Sequence, residues 1–399
     1  MSEAERRAAL IEADYNLLRI PNARVPFDLF SDVPHRVLVP DADRGADEAS
    51  PEDICAALAP LTGDARLALA TKGRSAESAL VDALELAGPP VVLTHGLFAT
   101  TQTALARRGA VLEDAPLAKA AGSADLDLDR LDERLGKGGV ALVYLELANN
   151  ALFGWPVSGN NIARIRESCD RHGAKLVLDA ARPLANAAAG GAEDVVGSAR
   201  RVLALAHAFT ISCAKELLVP IGSVLGSSDA ALVGRANMLL FRAGTSMTPI
   251  DPPQHRADLR DGARYSLAHP DLVRDRLTIV KELATDLAAR GVSVVEPATS
   301  HAVYLTLDRA LLPANDVAAM IGVMSHLYLV AGVRGQITMS KRGPAMRLAV
   351  PLCMQLDGKR RGELVDGVAA FFARIAERPA LRVIDGQLDV PYFRRLGLA

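Results

Sequence analysis

The sequence predicts an α/β fold: a mainly parallel sheet covered by helices on both faces, followed by a smaller α+β domain. Three observations predict it. From about residue 52 onward, short apolar runs alternate with helical patterns, as strands do when crossover helices join them. After residue 265 this alternation gives way to a long periodic helix and a different layout. The chain, 399 residues and 50% hydrophobic, is long enough for one large core and a smaller one. The expected organisation is an N-terminal arm over 1–50, a large domain over 51–264 and a small domain over 265–399.

Residues 1–50 read as an initial helix and then a Pro- and Asp-rich arm around Pro21, Pro26, Pro34 and Pro40. The apolar runs expected as strands are 65–70, 90–94, 140–145, 175–179 and 201–205, the last within an alanine-rich stretch ending at Ala206. Helical candidates between them include 75–87, 126–135 and 160–172. Beyond lie a helix over 270–290, strands at 302–306 and 345–350, a helix near 362–377 and a tail over 390–399. There is no internal repeat, and the small-residue patch 185–191 is the only biased tract.

Composition removes several function classes. A formal charge of -2 gives no reason to expect nucleic acid. No apolar run reaches the ~18 to 20 residues of a membrane span. The start, Met1 to Arg7, lacks the charged-then-apolar order of a signal peptide, so a cytoplasmic protein is expected. The four cysteines, Cys55, Cys169, Cys213 and Cys353, are far apart with no C-x-x-C, which suggests neither zinc nor a disulfide framework.

In a parallel sheet, ligands sit beyond the carboxyl ends of the strands. The first end carries Thr71-Lys72-Gly73-Arg74-Ser75 opening a helix. Free N–H groups and flanking cations there suit a phosphate, although many βα turns look alike. The second carries Phe98, able to stack on a flat ring or to fill a core. The third carries Asn149 and Asn150, where an amide can meet a ligand oxygen or simply form a turn. The fourth is Leu178-Asp179-Ala180-Ala181-Arg182. A carboxylate closing an apolar strand needs a positive partner, either Arg182 or a protonated heterocyclic nitrogen. The fifth is Thr210 to Glu216, which holds Lys215 among small residues. It reads as a solvated loop lysine or as a desolvated, nucleophilic amine able to form a Schiff base. Taken together, a phosphate cradle, an aromatic ring, an amide, a carboxylate and a lysine are the parts that pyridoxal 5'-phosphate requires.

With these residues in view, the chain resembles the tryptophanase and tyrosine phenol-lyase group of β-eliminating lyases. The resemblance rests on Pro156 to Ser158, Leu178 to Arg182 and Ile211 to Gly222, and in the C-terminal half on Ser300 to Ala302, Val330 to Arg334 and Met346 to Pro351. It covers most of the chain from about residue 65 and implies a fold-type-I pyridoxal-phosphate enzyme that cleaves an amino acid at Cβ. By position, it implies Lys215 as the Schiff-base lysine and proton carrier, and Asp179 facing the ring nitrogen. Arg182 and Asn150 would approach the ring hydroxyl, and Phe98 would stack on the ring. Lys72, Gly73, Arg74 and Ser212 would hold the phosphate, and Arg347 the substrate carboxylate, with Asn150 beside it. A homodimer or homotetramer is implied, with a small amino acid as substrate.

The chain also departs from the family. Lys72 stands where the family has glutamine, and Ala214 replaces the first of two adjacent lysines. No tyrosine occurs between Phe30 and Pro60, where the family carries a catalytic one together with an acidic ligand for a monovalent cation. Ile337 takes the place of a substrate-reading arginine. Tyr392, in the tail, is the nearest counterpart of a tryptophanase histidine and the candidate catalytic acid. An aldolase of the threonine type, with His95 or His207 as base, and an aminotransferase are the alternative activities on this fold.

Overall fold

The structure, a computed structural model, describes residues 1–45, 47–247, 253–313, 316–340, 342–385 and 395–398. Its contacts divide the chain into two units, one of 33–277 and one of 1–32 with 278–399.

The larger unit is built on seven strands: β1 (Arg66–Ala70), β2 (Val91–Thr94), β3 (Val111–Asp114), β4 (Val140–Glu146), β5 (Lys175–Asp179), β6 (Ala208–Ile211) and β7 (Ser223–Ser227). Their order across the sheet is β1-β7-β6-β5-β4-β2-β3. Only β7 runs against its neighbours, and since it is antiparallel to both β6 and β1, the remaining six strands run parallel. The central strands β4, β5 and β6 are buried almost throughout, which is why they read as continuous apolar runs rather than alternating ones. On one face Val92, Leu142, Tyr144, Val177, Ala208 and Leu225 pack against Leu80, Leu105, Leu232 and Ala236.

One expected strand is a helix. The run 201–205 falls in and just after helix Val195–Ala204, whose N-terminus is capped by the Asp194 side chain accepting from the Gly197 N–H. Val202 and Leu203 are buried on one face while Arg200 and Arg201 lie on the other, so the apolar cluster is a helical stripe. The strand itself is the four-residue β6, too short and too close behind that helix to stand out. β3 and β7 are further strands that the apolar runs did not mark.

In the smaller unit, β8 (Ala302–Thr306), β9 (Gln336–Ser340) and β10 (Gly343–Ala349) form an antiparallel sheet in the order β9-β10-β8. Helix Val317–Ala331 and helix Gly358–Ala373 pack on it around Val323, Leu327, Met346, Leu364 and Phe371. A two-residue strand, Phe27–Asp28, pairs in parallel with Val333–Arg334 and brings the first residues of the chain into this unit.

Candidate active site

Because β1, β2, β4, β5 and β6 are parallel, the five segments singled out in the sequence emerge at one edge of one sheet. At the end of β1, helix Gly73–Ala83 starts without a side-chain cap, so its first amides remain available to a ligand. A Cβ on Gly73 would sit 3.2 Å from Ser212 Oγ, so the starts of the segments after β1 and β6 are in contact. Lys72 flanks the same point, its Nζ 3.4 Å from the Pro220 carbonyl oxygen; burial, then the Arg74 charge, lowers its pKa.

The turn after β2 is pressed against the turn after β4. Gly96 has φ of 121°, and a Cβ there would lie 2.8 Å from the Ala151 Cβ, so only glycine allows the approach. Asn149 locks the two turns together. Its Nδ2 donates to the Gly96 carbonyl at 2.9 Å and its Oδ1 accepts from the Ala151 N–H at 2.7 Å. This packing sets Phe98, whose ring stays 37% exposed, with its centroid 5.8 Å from Lys215 Nζ.

Asp179 closes β5 and is buried. Its Oδ1 accepts from the Ala181 N–H at 3.0 Å. On one side it is in register with Glu146 at the end of β4, on the other with Thr210 of β6. Burial, then the Glu77 and Glu146 carboxylates, push the Asp179 carboxyl well above the usual carboxylate range, against the opposing pull of Lys215. Glu77 lies on helix Gly73–Ala83 and accepts hydrogen bonds from the Thr100 and Thr101 hydroxyls. Arg182, just beyond Asp179, is fully buried.

Asn150 is buried and held by Glu146. Its Nδ2 and backbone N–H both donate to Glu146 Oε1, at 2.8 and 3.3 Å. Glu146 and Glu77 are members of this site that the sequence reading missed. For Glu146 the signal was present, since it closes an apolar strand just as Asp179 does. For Glu77, one polar residue on a helix, there was none.

The other candidates resolve individually. His207 precedes β6, at the opposite edge of the sheet from Lys215, where its Nδ1 accepts from the Leu176 N–H at 2.9 Å. His95 is on the correct edge but buried beside Asn149, 3.3 Å from its Nδ2. In the smaller unit, Arg347 of β10 is cross-strand partner to Gln336 of β9 and donates to its Oε1 and to the Phe30 carbonyl. Ile337 faces the other way, into the core. Arg334 is a structural clamp: it pairs with Asp28 and donates to the Leu17 and Ile20 carbonyls and to Asn22. Tyr392 lies outside the described residues.

The family model described as beta-eliminating lyase matches residues 31–349. The chain belongs to the β-eliminating lyase family. It is 29% identical over 392 residues to a protein named probable tryptophanase from Halobacterium salinarum, covering 88% of this chain and 85% of that one. It is 26% identical over 374 residues to a tyrosine phenol-lyase from Clostridium tetani, covering 84% and 78%. The fold is shared with a threonine aldolase from Leishmania major (TM-score 0.62, 16% identity, 88% of this chain and 100% of that one). It is also shared with a serine palmitoyltransferase from Sphingomonas wittichii (TM-score 0.65, 17% identity, 94% and 97%). The β-eliminating lyase is a pyridoxal-phosphate-dependent enzyme of fold type I.

The residues present fit that cofactor. Three buried acids, Asp179, Glu146 and Glu77, converge near Lys215, and Glu146 Oε2 is buried without a hydrogen-bond partner among the described residues. A protonated ring nitrogen would supply the missing positive charge, the uncapped helix start between Lys72 and Arg74 would suit the phosphate, and the Phe98 face would suit the ring. Among the described residues there is no group of three or more acids, histidines or cysteines placed to hold a metal ion. Nor is any helix among them long and apolar enough to cross a membrane.

Proposed function

We propose that this lyase eliminates a sulfur-bearing or otherwise activated substituent from Cβ of an amino acid. The observation that carries the reading is the common strand-end edge on which Lys215, Asp179 and Asn150 follow three adjacent parallel strands, beside the Phe98 ring. When bound, pyridoxal phosphate supplies an aldehyde for the amine and an electron sink for charge developing at Cα. Lys215 holds the cofactor, then takes the proton from Cα. Asp179 keeps the ring nitrogen protonated. Arg182 and Asn150 meet the ring hydroxyl, Phe98 covers a ring face, and Lys72, Gly73, Arg74 and Ser212 hold the phosphate. Arg347 offers a planar guanidinium to the substrate carboxylate. A homodimer or homotetramer is part of this proposal.

The choice of leaving group follows from an acid that the sequence lacks. Expelling indole or phenol requires protonation of a ring carbon, and residues 30–60 contain no tyrosine to do it. A thiolate leaves as a stable anion. General acid catalysis is typically worth roughly 10²- to 10⁴-fold, and the substrate preference shifts on that scale. The test is kcat/KM for S-methylcysteine, an S-arylcysteine, tryptophan and tyrosine, with wild type and Tyr392→Phe. Thioethers turning over far faster than tryptophan supports the reading. Equal turnover contradicts it, and loss of tryptophan cleavage in Tyr392→Phe alone places the acid in the tail.

A further inference from the structure

Strand β9 is the edge of the small sheet, and its side chains divide between two faces. Ile337 joins Val303, Leu305, Met346 and Leu348 in the core beneath helices Val317–Ala331 and Gly358–Ala373. Gln336 leaves the opposite face, beside its cross-strand partner Arg347. Arg347 donates to Gln336 Oε1 and, at 2.9 Å, to the Phe30 carbonyl. A guanidinium only donates, so the atom that Gln336 turns to it is oxygen, and the amide NH2 is on the other arm. Gln336 is half-buried, and among the described residues this NH2 makes no hydrogen bond.

Gln336 and Phe30 also wall a cavity of about 190 Å³. It lies between residues 16–18 and helix Val317–Ala331, with Leu17, Leu18, Met320 and Met324 in its lining. Among the described residues no charged side chain lines it. Asn16 is the second polar wall, and its Oδ1 already accepts from the Leu18 N–H at 3.1 Å. An apolar cavity of ~150 Å³ stays dry and holds a benzene ring, so this one has room for an unsubstituted ring or a branched alkyl group. A carboxylate or ammonium there would lose its hydration and meet no counter-charge. Gln336 thus joins two features: it touches the guanidinium offered to the substrate carboxylate, and it lines an apolar cavity.

We propose that Gln336 selects the β-substituent: its Nε2 donates to an acceptor on the leaving atom, and the cavity takes the uncharged, apolar remainder. The inference rests on the proposed reading that Arg347 holds the substrate carboxylate. Only Cα and Cβ separate that carboxylate from the leaving atom, so a side chain in contact with Arg347 is within reach of both. A thioether sulfur is a weak acceptor, whereas a sulfoxide oxygen is a strong one. The substrate class is therefore the S-alkyl- and S-arylcysteine S-oxides. In the elimination the Cα proton passes to Lys215, its electron pair forms the second Cα–Cβ bond, and the Cβ–S pair leaves on a sulfenate. The sulfenate takes up a proton to become a sulfenic acid. Water added to the three-carbon fragment gives pyruvate and ammonium, and no oxidant or reductant is consumed. A sulfenate, like a thiolate, departs without protonation of a ring carbon.

The test measures, by calorimetry, binding to the pyridoxal-phosphate-loaded protein of ligands that lack the amine and so cannot react. These are β-(phenylsulfinyl)propanoate, β-(phenylthio)propanoate and β-(methylsulfinyl)propanoate. Arg347→Lys is expected to weaken all three. If it weakens none, the carboxylate reading fails and this proposal with it. With that reading upheld, wild type is expected to bind the phenylsulfinyl ligand at least about tenfold more tightly than the methylsulfinyl one. Gln336→Met keeps the length of the side chain and removes the donor. It is expected to lower the preference for phenylsulfinyl over phenylthio by about tenfold. Equal binding of the phenyl and methyl ligands, or a preference unchanged in Gln336→Met, overturns the proposal alone. If Gln336→Met does not fold, the two enantiomers of β-(phenylsulfinyl)propanoate are compared on wild type. A fixed donor between a carboxylate grip and an apolar cavity reads one of them, by about tenfold, and equal binding overturns the proposal.

Discussion

Glu216 and Asp179 are both buried carboxylates near Lys215, one in sequence and one across the sheet edge, and the protein treats them differently. Glu216 is closed by protein groups: Arg276 donates to Oε1 at 2.7 Å, and the Leu184 and Ala185 N–H groups at the start of helix Pro183–Ala189 donate at 2.8 and 3.0 Å. Asp179 instead has the acids Glu77 and Glu146 beside it as well as Lys215, and among the described residues one N–H donor, that of Ala181, at its Oδ1. Burying a charge is costly unless it is paired and hydrogen-bonded. The sheet edge meets that cost within the chain at Glu216 and leaves it to a bound cation at Asp179 and its neighbours. A buried acid saturated by its own protein is structural, whereas one surrounded by like charge marks where a ligand belongs.

The comparison is most exposed to substitution on both sides. Asp179→Ala is expected to slow exchange of the substrate Cα proton with solvent deuterium by roughly 10³-fold, about 4 kcal/mol on the barrier, since an unprotonated pyridine is a poor electron sink. The apoprotein fold should survive. Near wild-type exchange would remove Asp179 from the reaction. Glu216→Ala is expected to cost stability instead, about 3 kcal/mol, because it leaves Arg276 without its carboxylate and two helix-start amides without their acceptor. Denaturant unfolding measures this, and an unchanged midpoint would show that the ion pair is dispensable.

A smaller effect appears in pH dependence. Asp179 and Glu146 both have folded-state pKa values raised above their unfolded ones. The folded apoprotein therefore binds protons more tightly than the unfolded chain. This contribution is fully present in acid and is lost as pH rises through the raised values. The apoprotein should melt at a falling temperature as pH rises above the ordinary carboxylate range toward the raised values, and Glu146→Gln should flatten that fall. A melting temperature that rises as pH climbs above the ordinary carboxylate range would contradict the assigned directions.

The smallest effect concerns Cys213, two residues before Lys215. Burial pushes its thiol up to about 12, so it is protonated and inert at neutral pH. Thiol reagents should label the exposed Cys353 first, leaving Cys213 unreacted and reductive labelling of Lys215 undiminished. Rapid native labelling of Cys213 would mean that the edge is more open than the packing around it.

Much of this edge was legible in the sequence because each strand end carries its own signal. An apolar run closed by Asp179, a glycine between two cations at residues 72–74, and a lysine among small residues are all local patterns. What was not legible depended on pairing. The four-residue β6 was hidden behind helix Val195–Ala204, whose buried stripe at Val202 and Leu203 imitates a strand. The antiparallel β7 is defined by its neighbours rather than by its own pattern. The place of Glu146 emerged only once the register set it beside Asp179 and its Oε1 was seen to hold Asn150. Arg334 and Arg347, similar in sequence, separate only when Asp28 and Asn22 are seen to hold the first.

Lys215 is the residue proposed to carry the cofactor. Purified protein loaded with pyridoxal phosphate and reduced with borohydride should hold the cofactor on the single peptide containing Lys215. Lys215→Ala should give no such label, while Lys72→Ala should weaken cofactor retention and still label Lys215. Label on another lysine in the wild type, or a protein that takes up no cofactor, would contradict the assignment of this edge as the active site.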